Sequence, residues 1–243
     1  MYSRKQDTVR SLVTTSPSRL PLTLARLHQA MSPSTVAEIE IRCRFNLTQE
    51  HLLMLLEGAG FTQVKIVAKC ASSLSVRVVR ARTLPDFIRP RLRLLVCGLN
   101  PSLYAADSGI PFGRPGNRFW PAAVRAGLAE RVGDPFAALE RGVGFTDLVK
   151  RATSGSAELR RGEYAAGMTR LTELAGLFQP HTICFVGLDG WRKIADRDAQ
   201  PGWIAAGFAG RPAYLMPSTS GRNARTPLAE LAAHLRRAVG CGR

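Results

Sequence analysis

Two loops, far apart in the chain, hold the side chains best suited to chemistry. The first follows the apolar run Leu94-Leu95-Val96-Cys97, which reads as a buried strand, and continues as Gly98-Leu99-Asn100-Pro101-Ser102. Asn100 therefore stands at the C-terminal end of a strand, the edge where open α/β sheets bind ligands. Its amide can hold a water through the oxygen but cannot take a full proton at neutral pH. On these residues alone an ordinary Asn-Pro turn is the better explanation. The second loop is Leu215-Met216-Pro217-Ser218-Thr219-Ser220-Gly221-Arg222-Asn223-Ala224, a short strand breaking into small polar residues. The hydroxyls of Ser218 and Thr219 suit phosphate oxygens. Asp107 and Asp147 are the acidic residues nearest these motifs. Asp107 could serve as a base, or stand solvated or capping a helix.

Between the loops lies Gly144-Phe145-Thr146-Asp147-Leu148-Val149-Lys150-Arg151-Ala152-Thr153. The three segments, in this order, resemble the mismatch-specific uracil/thymine DNA glycosylases over roughly residues 85–240. That family has a GINPG-like first motif, a GFT-x-x-V-x-R-x-T segment and an MPSSSAR-like or NPSGLSR-like last motif. The resemblance implies an α/β/α fold and hydrolysis of a pyrimidine's N-glycosidic bond after the nucleotide is flipped out of the duplex. It gives Asn100 the attacking water and Thr153 a supporting catalytic role. It assigns base contacts to Leu99, Ser102, Ala105, Phe112 and Asn117, with Phe112 stacking on the base and backbone amides near Leu99 and Phe112 bonding it. Ala105 and Ala106 would leave room at the pyrimidine C5, or are simply helix formers. Ser102 departs from the family's glycine and would narrow the pocket or bond a phosphate. Asn117 also reads as a helix cap.

The same resemblance assigns DNA contacts to Ser218, Thr219, Ser220, Gly221 and Arg222. Arg222 would fill the gap left by the flipped base, and Ser220 stands where some relatives carry a leucine wedge. The implied partner is double-stranded DNA with G·U or G·T mispairs, met by a monomer. No metal and no cofactor are expected. No lysine stands in the first or last motif to form a Schiff base, so strand cleavage is not expected. The expected location is cytoplasmic, at the nucleoid in a bacterium, or nuclear in a eukaryote. A non-catalytic nucleic-acid-binding protein on the same fold is the alternative.

The composition agrees with such a partner. Lys and Arg number 34 against 18 Asp and Glu, a net charge of +16 that attracts polyanions. High-GC coding bias toward Arg, Ala and Gly is the competing explanation. At 45% hydrophobic residues the chain can fill a sizeable core, and no run is long enough for a membrane span. No secretory signal is visible. The five cysteines, Cys43, Cys70, Cys97, Cys184 and Cys241, form no CxxC pair. A disulfide framework, zinc site or iron–sulfur cluster is therefore not expected.

The elements that must position these loops read as an α/β domain over residues 94–243. Its order is strand (92–99), helices (about 117–128 and 134–141), loop, helix (about 162–178), strand (182–187), helix (about 188–196), strand (213–216) and helix (about 226–239). This alternation predicts three α/β/α layers around a mostly parallel sheet. Upstream, residues 1–36 read as mostly disordered, with a short helix available over Leu20–Met31. Residues 37–83 read as a small β-α-β-β appendage, with Thr48 capping its helix. The phrase LTQEHLLMLLEGAGFTQVKIV resembles the C-terminal end of a class I methyltransferase. No Gly-rich turn precedes it, so no S-adenosylmethionine site is expected. Residues 84–93, with Pro85 and Pro90, read as a linker, and the upstream part as dispensable for the chemistry.

Overall fold

The computed structural model describes residues 9–42, 48–70, 73–223 and 225–240. Cys43, Cys241 and parts of the appendage expected over 37–83 lie outside these. The N-terminal part holds β1 (Val9–Thr14), α1 (Leu20–Ala30), β2 (Val36–Arg42), α2 (Gln49–Gly58), β3 (Phe61–Cys70) and β4 (Ser73–Arg80). They build a sheet of order β1-β2-β4-β3, with β1 parallel to β2 and the other pairs antiparallel. In β2, Ala37, Ile39 and Ile41 face the core, while Glu38 alternates outward and takes a 2.9 Å bond from Arg77 opposite it. The Thr48 hydroxyl caps α2 by accepting the His51 N–H at 3.2 Å.

The second part holds β5 (Leu94–Gly98), α3 (Leu103–Ser108), α4 (Phe119–Arg125), α5 (Pro135–Glu140), β6 (Val143–Asp147), α6 (Arg161–Phe178), β7 (Ile183–Val186), α7 (Leu188–Ile194), β8 (Gly202–Phe208), β9 (Arg211–Met216) and α8 (Leu228–Val239). The sheet order is β6-β5-β7-β9-β8, parallel except for the edge strand β8. Strands β5, β6 and β7 are buried at every position, as expected of a sheet covered on both faces. Leu95, Cys97, Ile183, Phe185 and Leu215 point into one core with Leu171 and Leu174 of α6. Leu94, Val96, Cys184, Tyr214 and Met216 point into the other with Trp120 of α4 and Leu231 and Leu235 of α8. Three α/β/α layers result. Burial pushes the Cys184 thiol up to about 12 and the Cys97 thiol further, so both are inert.

The structure differs from the sequence expectation in four places. Residues 9–36 are not disordered: they form β1, α1 and the start of β2, and α1 buries Leu20, Leu24 and Ala25. Composition hid this, because the apolar residues there fill one helix stripe rather than a long run. Residues 84–93 are not a loose linker. Leu84, Phe87, Ile88 and Leu92 are buried, and Phe87 exchanges two 2.9 Å backbone bonds with Phe145. The upstream unit is no separate appendage either: one apolar cluster runs from Ile39, Leu55 and Val76 to Leu92, Leu95 and Leu171. Finally, β6 stands where a loop was expected, and α3 and β8 were not expected. Each is seven residues or fewer, too short for a clear period, and β8 is diluted by glycine and alanine.

Candidate active site

The chain leaves β5 on one side to make β6 and on the other to make β7, so the sheet has a switch point beside β5. A cleft of about 900 Å³ opens there, over the C-terminal ends of β5, β6, β7 and β9. Its size suits a nucleotide fragment. The cleft brings together Asn100, Thr153, Leu99, Ser102, Ala105, Phe112, Asn117, Ser218, Thr219, Ser220 and Arg222, leaving out only Gly221 among the expected site residues. Four arginines line it, Arg114, Arg192, Arg222 and Arg225, against two acidic residues, Asp147 and Asp189.

Asn100 is locked in one orientation. Its Nδ2 donates to Thr153 Oγ1 at 2.8 Å, the Arg151 carbonyl at 3.1 Å and the Pro101 carbonyl at 3.2 Å. Two of these are carbonyls, which only accept, so the amide nitrogen must face them. The Thr153 hydroxyl gives its one proton to the Gly155 carbonyl at 2.9 Å and is left to accept from Asn100. The Asn100 oxygen is thereby turned away from this cluster. The loop behind it is clamped in turn. Arg151 donates twice to Glu163, at 2.6 and 2.9 Å, and Glu158 accepts the N–H groups of Ser154 and Gly155. The bond with Arg151 holds the Glu163 carboxyl down to about 2.

Thr153 is thus a positioning residue. Thr153→Val should slow base excision about tenfold, roughly 1.4 kcal/mol, through lost orientation of Asn100, and Thr153→Ser should restore it. Single-turnover rates beside a duplex-binding titration check this. An unchanged Val variant would separate Thr153 from the function of Asn100.

Phe112 adopts a left-handed backbone with φ 56°, which costs a bulky residue about 1–2 kcal/mol. The conformation lays its ring on Phe119, centroids 4.4 Å apart and 20° from parallel. Phe119 and Trp120 back it from the core. Gly98 makes room below: a Cβ there would strike the Asp147 carboxylate and lie 3.4 Å from the edge of the Phe112 ring. Ser102 is occupied in capping α3, its hydroxyl accepting from Ala105 N at 3.1 Å, rather than reaching toward a phosphate. Ala105 lines the cleft, whereas Ala106 is fully buried. The Asn117 side chain accepts the Phe119 N–H at 2.9 Å, but Arg118 holds the N-cap position of α4, so Asn117 braces the turn before the helix rather than capping it. Asp107 points to the N-terminal unit, where Arg82 grips it at 2.5 and 2.6 Å. That bond lowers the Asp107 carboxyl, which is a poor setting for a base.

The last motif forms the opposite rim. Arg118 ties it down: its backbone N–H donates to Thr219 O at 2.9 Å and its guanidinium to the carbonyls of Asn223 and Thr226. Asn223 closes the loop by donating to Ser218 O at 2.8 Å. Thr219 is only 1% exposed, so burial removes it from the expected phosphate contact. Gly221 stands back because it packs on Gly116, where a Cβ would come within 2.9 Å of the carbonyl oxygen. Arg222 is exposed and reaches toward Gly155 across the cleft. Ser218 and Ser220 are half-buried on the rim.

Residues that sequence reasoning missed are the ones that hold others in place: Arg118, Arg151, Glu158 and Glu163. Arg118 bonds carbonyls more than a hundred residues away, which no local pattern marks, whereas Arg151 stands in the middle motif and Glu158 and Glu163 accept amides three or four residues upstream, the spacing of a capping box. Among the described residues no group of three or more His, Cys, Asp or Glu is placed to hold a metal ion, and no helix is long and apolar enough to cross a membrane.

Known proteins resemble this chain. A solution NMR structure of a candidate uracil DNA glycosylase from Methanosarcina acetivorans is similar at 20% identity, covering 64% of this chain and 96% of that one, with a TM-score of 0.44. The family described as the uracil DNA glycosylase superfamily matches residues 85–238, which is more than half of the chain and runs from before β5 into α8. The chain belongs to the uracil DNA glycosylase superfamily, a membership that carries DNA glycosylase activity, the hydrolysis of a base from its sugar.

Proposed function

We propose that the protein is a monofunctional, mismatch-specific uracil/thymine DNA glycosylase of base-excision repair, acting on duplex DNA at G·U or G·T mispairs. The observation that supports this most is the locked amide of Asn100 in a cleft rimmed by arginine. Extruding the target nucleotide costs a few kcal/mol, least at a mispair. Stacking on the Phe112 ring returns about 1–3 kcal/mol. The Asn100 oxygen then holds a water toward the sugar C1′. It removes no proton, so the step relies on a leaving base that departs as a stabilised anion and takes up the proton the added water loses, and on a cation-like sugar that needs no strong nucleophile. Ordinary glycosidases need two carboxylates because their leaving group must be protonated. Here hydrogen bonds to the departing base serve instead. Arg222 fills the vacated space in the duplex.

The test is incubation with labelled G·U, G·T, A·U and single-stranded uracil oligonucleotides, followed by alkaline cleavage of abasic sites. Excision of G·U and G·T ahead of A·U is expected. Affinity should fall steeply with salt, because the net charge of +16 releases counterions from phosphates. Equal rates on G·U and A·U would remove the mismatch assignment. Tight binding without excision would favour the non-catalytic alternative.

A further inference from the structure

Gln29, Arg82 and Thr83 stand upstream of the superfamily span, yet each bonds a segment that shapes the cleft. Arg82, just after β4, grips Asp107 of α3 with two bonds at 2.5 and 2.6 Å. Gln29 of α1 donates to the Gly109 carbonyl at 3.0 Å. Thr83 donates to the Lys150 carbonyl. Gly109 suits its tie closely: it turns left-handed at φ 71°, and a Cβ there would come within 2.9 Å of the Gln29 amide nitrogen.

The short helix α3 is a wall of the cleft, which it meets through Ser102 and Ala105. Six residues are too few to keep a helix in shape alone, so its ends must be held from elsewhere. The first end is held within the superfamily span, where the Thr153 N–H donates to the Pro101 carbonyl at 3.1 Å. Among the described residues, the hydrogen bonds that reach 103–110 from other elements come from Arg82 and Gln29. Gly109 stands three residues before Phe112, and Trp120 donates to the Pro111 carbonyl at 2.7 Å from the other side. The turn that carries the stacking ring is thus held between Trp120 and the N-terminal unit. Thr83 acts on the other side of the site. The carbonyl it bonds belongs to the residue before Arg151, whose own carbonyl accepts from Asn100 at 3.1 Å.

We propose that the N-terminal unit is a positioning part of the active site, with Arg82 and Gln29 setting where α3 and the Phe112 turn stand over the cleft. The inference rests on the glycosylase reading above. The hold is local. Arg82 and Asp107 are half exposed, and a pair of that kind adds little to overall stability. Its planar fork on both oxygens of one carboxylate fixes direction as well as distance. A shift of about 1 Å at a positioning element costs rate. It spares affinity here, because neither Arg82 nor Gln29 lines the cleft.

The test is single-turnover excision of uracil from G·U duplex by the full chain, with enzyme concentration varied. Arg82→Ala should lower the maximal rate about threefold to fivefold, and Arg82→Ala with Gln29→Ala about tenfold. The half-saturating concentration and the melting temperature should stay nearly unchanged. Exchanging the charges gives the rescue: Arg82→Asp alone should be slow, and Arg82→Asp with Asp107→Arg should regain most of the rate, which a general loss of stability would not do. Hydrogen exchange over residues 103–113 should quicken in the Arg82 and Gln29 double variant while β5 and β6 stay protected. An unchanged maximal rate in that variant, a loss recovered in full by adding enzyme, or an exchanged pair no faster than Arg82→Asp would overturn the inference and leave the glycosylase reading intact. A wild type that excises no base from any duplex would remove both.

Discussion

Replacing Asn100 by alanine is expected to slow base excision by about a hundredfold or more, about 2.7 kcal/mol in the barrier, with duplex affinity nearly unchanged. The two effects separate because Asn100 is held by the protein itself: Thr153 and the Arg151 carbonyl take its amide protons, and the free oxygen has only a water to hold. Nothing in that arrangement touches a phosphate. Single-turnover excision measured beside a binding titration gives both quantities. Asn100→Asp is informative as well. It loses the donor that fixes the side chain and sets a carboxylate against two carbonyl oxygens, so it should also be slow although a carboxylate is the stronger base. Unchanged excision in Asn100→Ala would move the attacking water to another residue.

The second large effect concerns stability. Asp86→Ala is expected to destabilise the protein by about 3–5 kcal/mol at neutral pH, a large part of the ~5–15 kcal/mol that holds a domain folded. Asp86, Arg170 and Lys150 are all at or below 9% side-chain exposure, and removing the carboxylate strands two buried cations. Burial alone would raise the Asp86 carboxyl, but Arg170 and Lys150 outweigh it and hold the group below the usual range. A carboxyl lowered by folding stabilises above its ordinary range, and that stability is lost as pH falls through the lowered value. The variant should therefore be far less stable than the wild type at neutral pH and converge with it in acid. Urea unfolding at both pH values tests this, and a loss under about 1 kcal/mol would show that water already solvates the pair.

What was legible in the sequence is which segments meet in the cleft, because three ordered motifs carry them. Asn100 and Phe112 sit in motifs whose neighbours are sequential, and the apolar run Leu94–Cys97 announced the strand before them. The last-motif loop was legible for the same reason, down to the polar side chains on its rim. Thr219 and Gly221 were misread because sequence does not tell which face of a loop turns inward. Asp107 drew attention as an acid, yet its partner Arg82 belongs to another part of the molecule. The N-terminal unit was the largest misreading. Its attachment to the rest depends on contacts between distant residues: Gln29 to the Gly109 carbonyl, Thr83 to the Lys150 carbonyl, and the packing of Gly58 against Asp86. None of these leaves a periodic trace. Removing residues 1–82 would expose the apolar cluster shared with α6, so β1, α1, β2, α2, β3 and β4 belong to the folded core.

The segment from Pro217 to Asn223 has a consequence for the first encounter with DNA. Arg118 and Asn223 have already fixed its shape in the free protein. The conformational entropy of ordering that rim is therefore lost when the chain folds, not when the duplex arrives. Meeting a duplex becomes the docking of a rigid edge, steered by charge and free of a slow search among loop shapes. Undamaged DNA can then be held briefly and released, because no ordering step commits the protein to the site it has touched. The slow event is left to the nucleotide that must leave the helix.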